Sequence, residues 1–173
     1  MKVNMILITD SDYGISKQSK IPWSFKEDSH FFYKTTKNNI CIMGSTTAKD
    51  LGKPLINRIN IVISSNDECN NLCNDDNKFI VVRNLEDAIK EASKYDKEIF
   101  IVGGSRLYNE VLESAVLDKI YYTHINKSFG CDNFVNPLLD RNDMTYEIID
   151  TIKYDSYKIL TNVELTFYLI TKK

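Results

Sequence analysis

No stretch of this chain approaches the roughly 18 consecutive apolar residues that cross a membrane as a helix, so no membrane partner is expected. An excess of one charge is lacking too: 22 Lys and Arg stand against 24 Asp and Glu, for a formal net charge of -2. No global basic field is therefore available to recruit nucleic acid, and any anionic ligand must be held by particular arginines and helix starts. Cysteine is sparse. Four in 173 residues do not suggest a disulfide framework, and the expected compartment is cytoplasmic. Cys69 and Cys73 sit in an asparagine-rich stretch without a second ligand pair at zinc spacing, so they read as free thiols and no metal site is expected. The two histidines, His30 and His124, have no Ser or Cys nucleophile pattern nearby, and triad chemistry has no support. The first residues, Met1 to Ile8, end at Thr9-Asp10-Ser11-Asp12 rather than at a small-residue cleavage site, and read as a buried strand, not a signal peptide.

What is present is a series of short β-branched runs: Met5 to Ile8, Ile40 to Met43, Ile59 to Ile63, Phe79 to Val82, Ile99 to Val102 and Ile120 to Ile125. Helical patterns fall between several of them. In the clearest, Asn84 is a good N-cap and Leu85, Ala88, Ile89 and Ala92 form one face. Strands apolar on both faces and alternating with helices indicate an α/β domain with a central, mostly parallel sheet and helices on both faces. Tyr146 to Ile149 and Val163 to Thr171 have no helix between them and predict antiparallel C-terminal strands in a hairpin or meander. The polar stretch from Asn66 to Lys78 predicts a surface loop, and with no interdomain linker the whole of 1–173 reads as one domain.

The most informative segment runs Ile21-Pro22-Trp23-Ser24-Phe25-Lys26-Glu27-Asp28-Ser29-His30-Phe31-Phe32. Ser24 with Glu27 three residues later predicts a capping box and a helix from about Phe25. On that helix Asp28 and Phe32 share a face, which sets an acid beside an aromatic ring. A buried carboxylate needs a partner, either a protein donor or a ligand with paired N–H groups. Small residues recur at strand ends: Gly44-Ser45-Thr46-Thr47, Ser64-Ser65 and Gly103-Gly104-Ser105. They suggest a ligand across the carboxyl edge of a parallel sheet, with Arg106 in the first turn of the following helix. Arg58 is either a solvated turn cation or a fork for a carboxylate, and nothing local decides. Tyr121 and Tyr122 read as packing residues.

Together these pieces resemble dihydrofolate reductase, in chain order and at matching spacing from Val3 to Phe134. The resemblance is carried by the Pro22-Trp23 step with an acid five residues after the Trp, by Lys53-Pro54-Leu55-Ile56-Asn57-Arg58 leading into a strand, by Val102-Gly103-Gly104-Ser105-Arg106-Leu107-Tyr108, and by Tyr122-Thr123-His124-Ile125. It implies NADPH-dependent reduction of dihydrofolate to tetrahydrofolate, an antifolate target in one-carbon metabolism, expected as a monomer. A hydride would pass from the nicotinamide to C6 of dihydrofolate while N5 gains a proton from ordered water. Asp28 would accept from the pterin N3–H and 2-amino group, with Thr123 behind it. Trp23 would order a water near Asp28, and Ile21 would close over the site. Ile6, Leu7, Phe32, Leu55 and Val102 would line the slot, Arg58 would clamp the tail α-carboxylate, and Tyr33 and Lys53 would border its exit.

On the cofactor side the resemblance implies Ile8, Gly14, Ile15, Ser16 and Lys20 from the first strand and the closing loop. It adds Gly44, Ser45, Thr46 and Thr47, then Val102, Gly103, Gly104, Ser105, Arg106, Leu107 and Tyr108, around nicotinamide and pyrophosphate. Ser64, Ser65 and Arg83 match positions near a 2′-phosphate, and the Gly103–Gly104 bond matches a cis peptide. The chain also departs from the family pattern. Ser45 and Thr46 stand where basic residues are usual, Ala48 replaces an aromatic and leaves an expected packing gap, and Ser16 replaces a loop glycine. Cys131 follows Gly130 where an acid is usual, so the loop latch is expected to be looser or to pass to Asp132. Competing expectations are a folate- or nucleotide-binding protein of the same fold with weak or no turnover, and a related reductase acting in riboflavin synthesis.

Overall fold

In a computed structural model of the chain, residues 1–66 and 78–173 are described. Most of the expected loop from Asn66 to Lys78, with Cys69 and Cys73, lies outside the described residues. The elements run β1 (Val3–Thr9), β2 (Gly14–Ser16), α1 (Lys26–Thr36), β3 (Ile40–Gly44), α2 (Ser45–Leu51), β4 (Ile59–Ile63) and β5 (Phe79–Val82). They continue with α3 (Leu85–Ala92), β6 (Ile99–Ile101), α4 (Ser105–Leu112), β7 (Leu117–Ile125), β8 (Asn133–Phe134), β9 (Met144–Tyr157) and β10 (Leu160–Lys172). Each of the expected strands is present, and β4 and β5 fall on the expected residues.

An eight-stranded sheet has the order β5-β4-β3-β6-β1-β7-β10-β9. Every pairing from β5 to β7 is parallel, and β10 joins β7 and β9 antiparallel, so the tail is a hairpin. Alternation along the strands sends side chains to two faces. Ile40 and Ile42 join Val3, Met5, Leu7, Ile99 and Ile101 in the main core beneath α3 and α4. Cys41 and Met43 go the other way, with Ala48 of α2, Val62 and Phe79. Burial on both faces is why these strands read as unbroken apolar runs. Ala48, standing where an aromatic is usual, is fully buried in this second cluster.

Strand β6 returns between β3 and β1, so the chain's crossovers diverge there and a crevice opens at the carboxyl ends of these strands. α3 starts as expected: Asn84 Oδ1 accepts from Asp87 N at 2.8 Å, while Ala88 and Ala92 are buried. α1 does not. The expected capping box is not formed, and Phe25 is an N-cap with no side-chain cap. Ser24 N donates instead to Tyr157 Oη, 2.9 Å away, and the Glu27 carboxylate accepts from Tyr154 Oη. Both belong to β9, whose length of 14 residues reaches this segment. Tertiary partners outcompeted the local pair.

Removing the cap of α3 by Asn84→Ala is expected to cost about 1 kcal/mol of stability, read by urea denaturation.

Candidate active site

The acid-bearing face of α1 is the centre of the site. Asp28, Phe32 and Thr36 are spaced four apart and share one face, the first two half-buried and Thr36 buried. Burial is the leading influence on Asp28 and raises its pKa from 3.8 to about 6; the Thr123 hydroxyl acts the other way. Thr123 Oγ1 nevertheless completes no hydrogen bond of normal geometry, so burial prevails. Among the described residues, the buried side-chain polar atoms without a partner are Trp23 Nε1 and Thr123 Oγ1. Both were expected beside this acid. Buried polar groups are nearly always paired, so the Asp28 carboxylate beside an unpaired Thr123 hydroxyl suits a polar ligand.

Arg58 lies at the other end of the same face. Its Nη1 donates to Thr36 Oγ1 (3.0 Å) and its Nε to the Ile56 carbonyl (2.9 Å). The guanidinium carbon is 5.7 Å from the Phe32 ring centre and 5.4 Å from that of Tyr33. Eight residues of helix separate Asp28 from Thr36, about 12 Å along the axis. The fork keeps three of its five N–H donors for an outside anion. Arg58 is thus held against α1, the helix that carries Asp28 and Phe32. Leu55 and Val102 pack in one cluster, and Ile6 is buried in the middle of β1. Tyr33 and Lys53 are exposed at the rim. Leu7 is a correction: it alternates away from Ile6 and Ile8 and packs with Val3 and Met5 in the main core.

The second half of the site is the edge formed by β3 and β6. Gly44 N donates to the Gly103 carbonyl at 2.8 Å, and the Gly103–Gly104 peptide is cis. A Cβ on Gly103 would come within 3.0 Å of Thr47 Oγ1, and its φ of +138° favours glycine, so the start of α2 is set directly against the β6–α4 turn. The N-caps of α2 and α4, Gly44 and Gly104, offer no side-chain cap, which leaves N–H groups of both first turns facing this edge. Ser45 and Ser105 are half-buried there, with Thr46 and Arg106 exposed. Farther along, Arg83 Nη1 donates to the Ser65 carbonyl (3.1 Å), and Ser64 Oγ to that of Asn66 (2.9 Å). Leu107 and Tyr108 are a second correction. Both are buried in the main core, and Tyr108 acts indirectly by donating to the Ile6 carbonyl at 2.8 Å.

The loop from Gly14 to Lys20 begins as β2, paired with β8. It turns at Gln18 and Ser19, both with positive φ, between Lys17 and Lys20, which exchange backbone hydrogen bonds of 2.8 and 3.0 Å. Asp132 latches it, accepting from Gln18 N at 2.9 Å and donating its own N–H to Ser16 O at 3.1 Å. Ser16 Oγ also accepts from Asn133 Nδ2. Gly14 packs close to Cys131, whose Sγ would lie 2.7 Å from an added Cβ; Ile15 is half-buried against the main core, Ile8 packs near Trp23, and Ile21 is 64% exposed.

Sequence reasoning missed several supporting groups. Asp10 is fully buried, and its carboxylate gathers N–H groups from Asp12, Gly14 and Phe129 at 2.8 to 2.9 Å, tying together the two loops that flank β2. Its acceptance from the residue two on is an Asx-turn, a signal that was available in Asp10-Ser11-Asp12. Tyr122 is more than packing: its hydroxyl bonds Thr9 Oγ1 (2.7 Å) and His124 Nδ1 (2.9 Å). Burial lowers the pKa of His124, with Asp10 opposing.

The sequence model of a family described as dihydrofolate reductase matches residues 2–171. A dihydrofolate reductase of Ureaplasma parvum is 35% identical over 145 residues, covering 83% of this chain and 85% of that protein. That of Buchnera aphidicola is 31% identical over 173 residues, covering 100% and 99%. A solved structure of the Enterococcus faecalis dihydrofolate reductase, complexed with NADP(H) and RAB-propyl, matches with a TM-score of 0.75 at 27% identity, covering 98% of this chain and 96% of that one. Two larger relatives are spanned only in part. The match covers 25% of a Mycoplasmoides gallisepticum protein named segregation and condensation protein A and 28% of the bifunctional dihydrofolate reductase-thymidylate synthase of Paramecium tetraurelia.

A carboxyl whose pKa is raised on folding binds its proton more tightly in the native state, so its contribution to stability is greatest below the unfolded pKa and is lost as pH rises towards about 6. Asp28→Asn is therefore expected to stabilise the free protein at pH 7 by on the order of 1–2 kcal/mol, discounted for partial solvent contact. The gain should vanish below about pH 4. Urea denaturation at the two pH values checks it.

Proposed function

The chain belongs to the dihydrofolate reductase family, and from that premise we propose that residues 1–173 form one catalytic domain reducing 7,8-dihydrofolate to 5,6,7,8-tetrahydrofolate with NADPH. The observation that carries this reading is the acid–ring–fork line on α1. It sets a buried carboxylate about 12 Å of helical rise from Thr36, which holds the Arg58 guanidinium, with the Phe32 ring on the turn between. A flat heterocycle carrying paired N–H groups at one end and a carboxylate at the other matches that order of chemistry.

Asp28 takes the pterin N3–H and 2-amino group in a charge-assisted pair, which gives the buried acid the partner it lacks. Thr123 supports it from β7, where it lies in register with Ile8. Phe32 packs on the ring and Arg58 receives the tail carboxylate. NADPH, when bound, supplies the hydride. The chain's own part is to align the two rings, with the uncapped starts of α2 and α4 receiving phosphate and Arg83 standing beside Ser65 for a 2′-phosphate. Protonation of N5 runs through water ordered near Trp23, with Asp28 orienting and polarising the ring. The protein works as a monomer in the cytoplasm, and antifolates compete for the Asp28 end. Among the described residues no helix is long and apolar enough to cross a membrane.

A binding protein of the same fold with little turnover is favoured only by Ser45 and Thr46, which stand at the phosphate edge in place of cations. Absorbance of the reduced nicotinamide separates the two readings. It should fall only when dihydrofolate is added, and Asp28→Asn should slow that fall steeply at neutral pH. Tight antifolate binding without turnover would favour the second reading. Arg58→Leu is expected to raise KM for dihydrofolate by roughly thirtyfold, the loss of about 2 kcal/mol from a charged hydrogen-bonded pair, with kcat little changed. Arg83→Ala is expected to raise KM for NADPH about fivefold and leave that for NADH unchanged in steady-state assays.

A further inference from the structure

We propose that Tyr154 and Tyr157, on the outer strand of the C-terminal hairpin, are positioning residues for the pterin end of the site. They hold the Pro22–Asp28 segment from outside and so set where Trp23 and Asp28 stand. The proposal rests on the function given above.

The segment has few means of holding itself. Phe25 caps α1 without a side-chain bond, and neither Ser24 nor Glu27 bonds the other. Their partners come from more than 120 residues away in sequence. Tyr157 Oη accepts from Ser24 N at 2.9 Å and points back to the Ser24 carbonyl at 3.4 Å. Tyr154 Oη donates to the Glu27 carboxylate, and this bond leads the lowering of that carboxyl's pKa. Lys158 Nζ reaches the Pro22 carbonyl at 3.3 Å. The Phe25 ring lies 5.5 Å from that of Tyr154 and 4.5 Å from that of Tyr157.

The residues held by the hairpin are Pro22, Ser24, Phe25 and Glu27. Those assigned to the site, Trp23 and Asp28, alternate with them or follow directly. Trp23 is reached through a further ring: Phe129 packs 5.2 Å from Trp23 and 6.2 Å from Tyr157. The hairpin thus grips the short segment that carries the indole and the acid, and Trp23 and Phe25 share one core cluster with Val163, Leu165 and Phe167 of β10. Without the Tyr154–Glu27 bond, the first turn that carries Asp28 loses its tie to β9. Catalytic geometry tolerates little displacement, so a modest shift there affects substrate before cofactor.

The test uses the full chain and four variants: Tyr154→Phe, Glu27→Ala, Glu27→Gln and the double variant Tyr154→Phe with Glu27→Ala. Fluorescence titration gives Kd for dihydrofolate and for NADPH separately, and steady-state assays give kcat. Tyr154→Phe keeps the ring and is expected to raise Kd for dihydrofolate about fivefold and lower kcat, with Kd for NADPH unchanged. Glu27→Ala should match it, the double variant should be no worse than either single one, and Glu27→Gln, whose amide oxygen still accepts from Tyr154, should recover most of the loss. The idea is overturned if the variants lose thermal stability yet keep wild-type affinities and kcat. It is equally overturned if both ligands weaken together, since that is general loosening. If the wild-type chain fails to turn over dihydrofolate, the function fails instead, and a diaminopyrimidine antifolate in the same titration still decides whether the tyrosines position Asp28.

Discussion

A carboxylate withdrawn from water with no strong protein donor is the constraint around which this structure is arranged. Burial raises the pKa of Asp28 to about 6, and the Thr123 hydroxyl beside it is itself without a partner. A protein built for stability alone would place an apolar residue there. Keeping the acid leaves a binding demand that only paired donors from outside satisfy, and a site of that kind selects a flat amidine-like ring.

Around that demand the fold supplies two rulers. Along α1, Asp28, Phe32 and Thr36 stand on one face at successive turns and Thr36 holds the Arg58 guanidinium, so under the proposed function the helical repeat sets the spacing of the ligand's two polar ends. The carboxyl edge of the parallel strands would, under the proposed function, receive the cofactor. There Gly44 meets Gly103, Thr47 fills the place of a missing Cβ, and two helix starts face the same side. The two rulers meet near β6, which lies between β3 and β1 where the crossovers part.

The loops and the tail hold this arrangement together by polar bonds. Asp10 collects three N–H groups beneath the Gly14 turn, Asp132 takes over the latch on Gln18 that Cys131 has no carboxylate to provide, and the β9 tyrosines grip the start of α1. Each bond is modest alone, about 1 kcal/mol. Their effect is orientation, since each joins segments that are far apart in the chain and would otherwise move independently.

Sequence by itself determined the strands, the α3 cap, the glycine edge and the pairing of Asp28 with Phe32, because these depend on periods of two and 3.6 residues and on backbone freedoms that act within a few positions. The likeness of motifs in order then brought Arg58 and Thr123 to the same site. Only the tertiary structure decided that Ser24 and Glu27 would turn outward to Tyr157 and Tyr154 instead of capping α1. It also decided that Leu7 and Tyr108 belong to the core and that Asp132 holds the loop. In each case local chemistry offered two comparable partners, and the choice fell to whichever group the sheet carried into reach from a distant part of the chain.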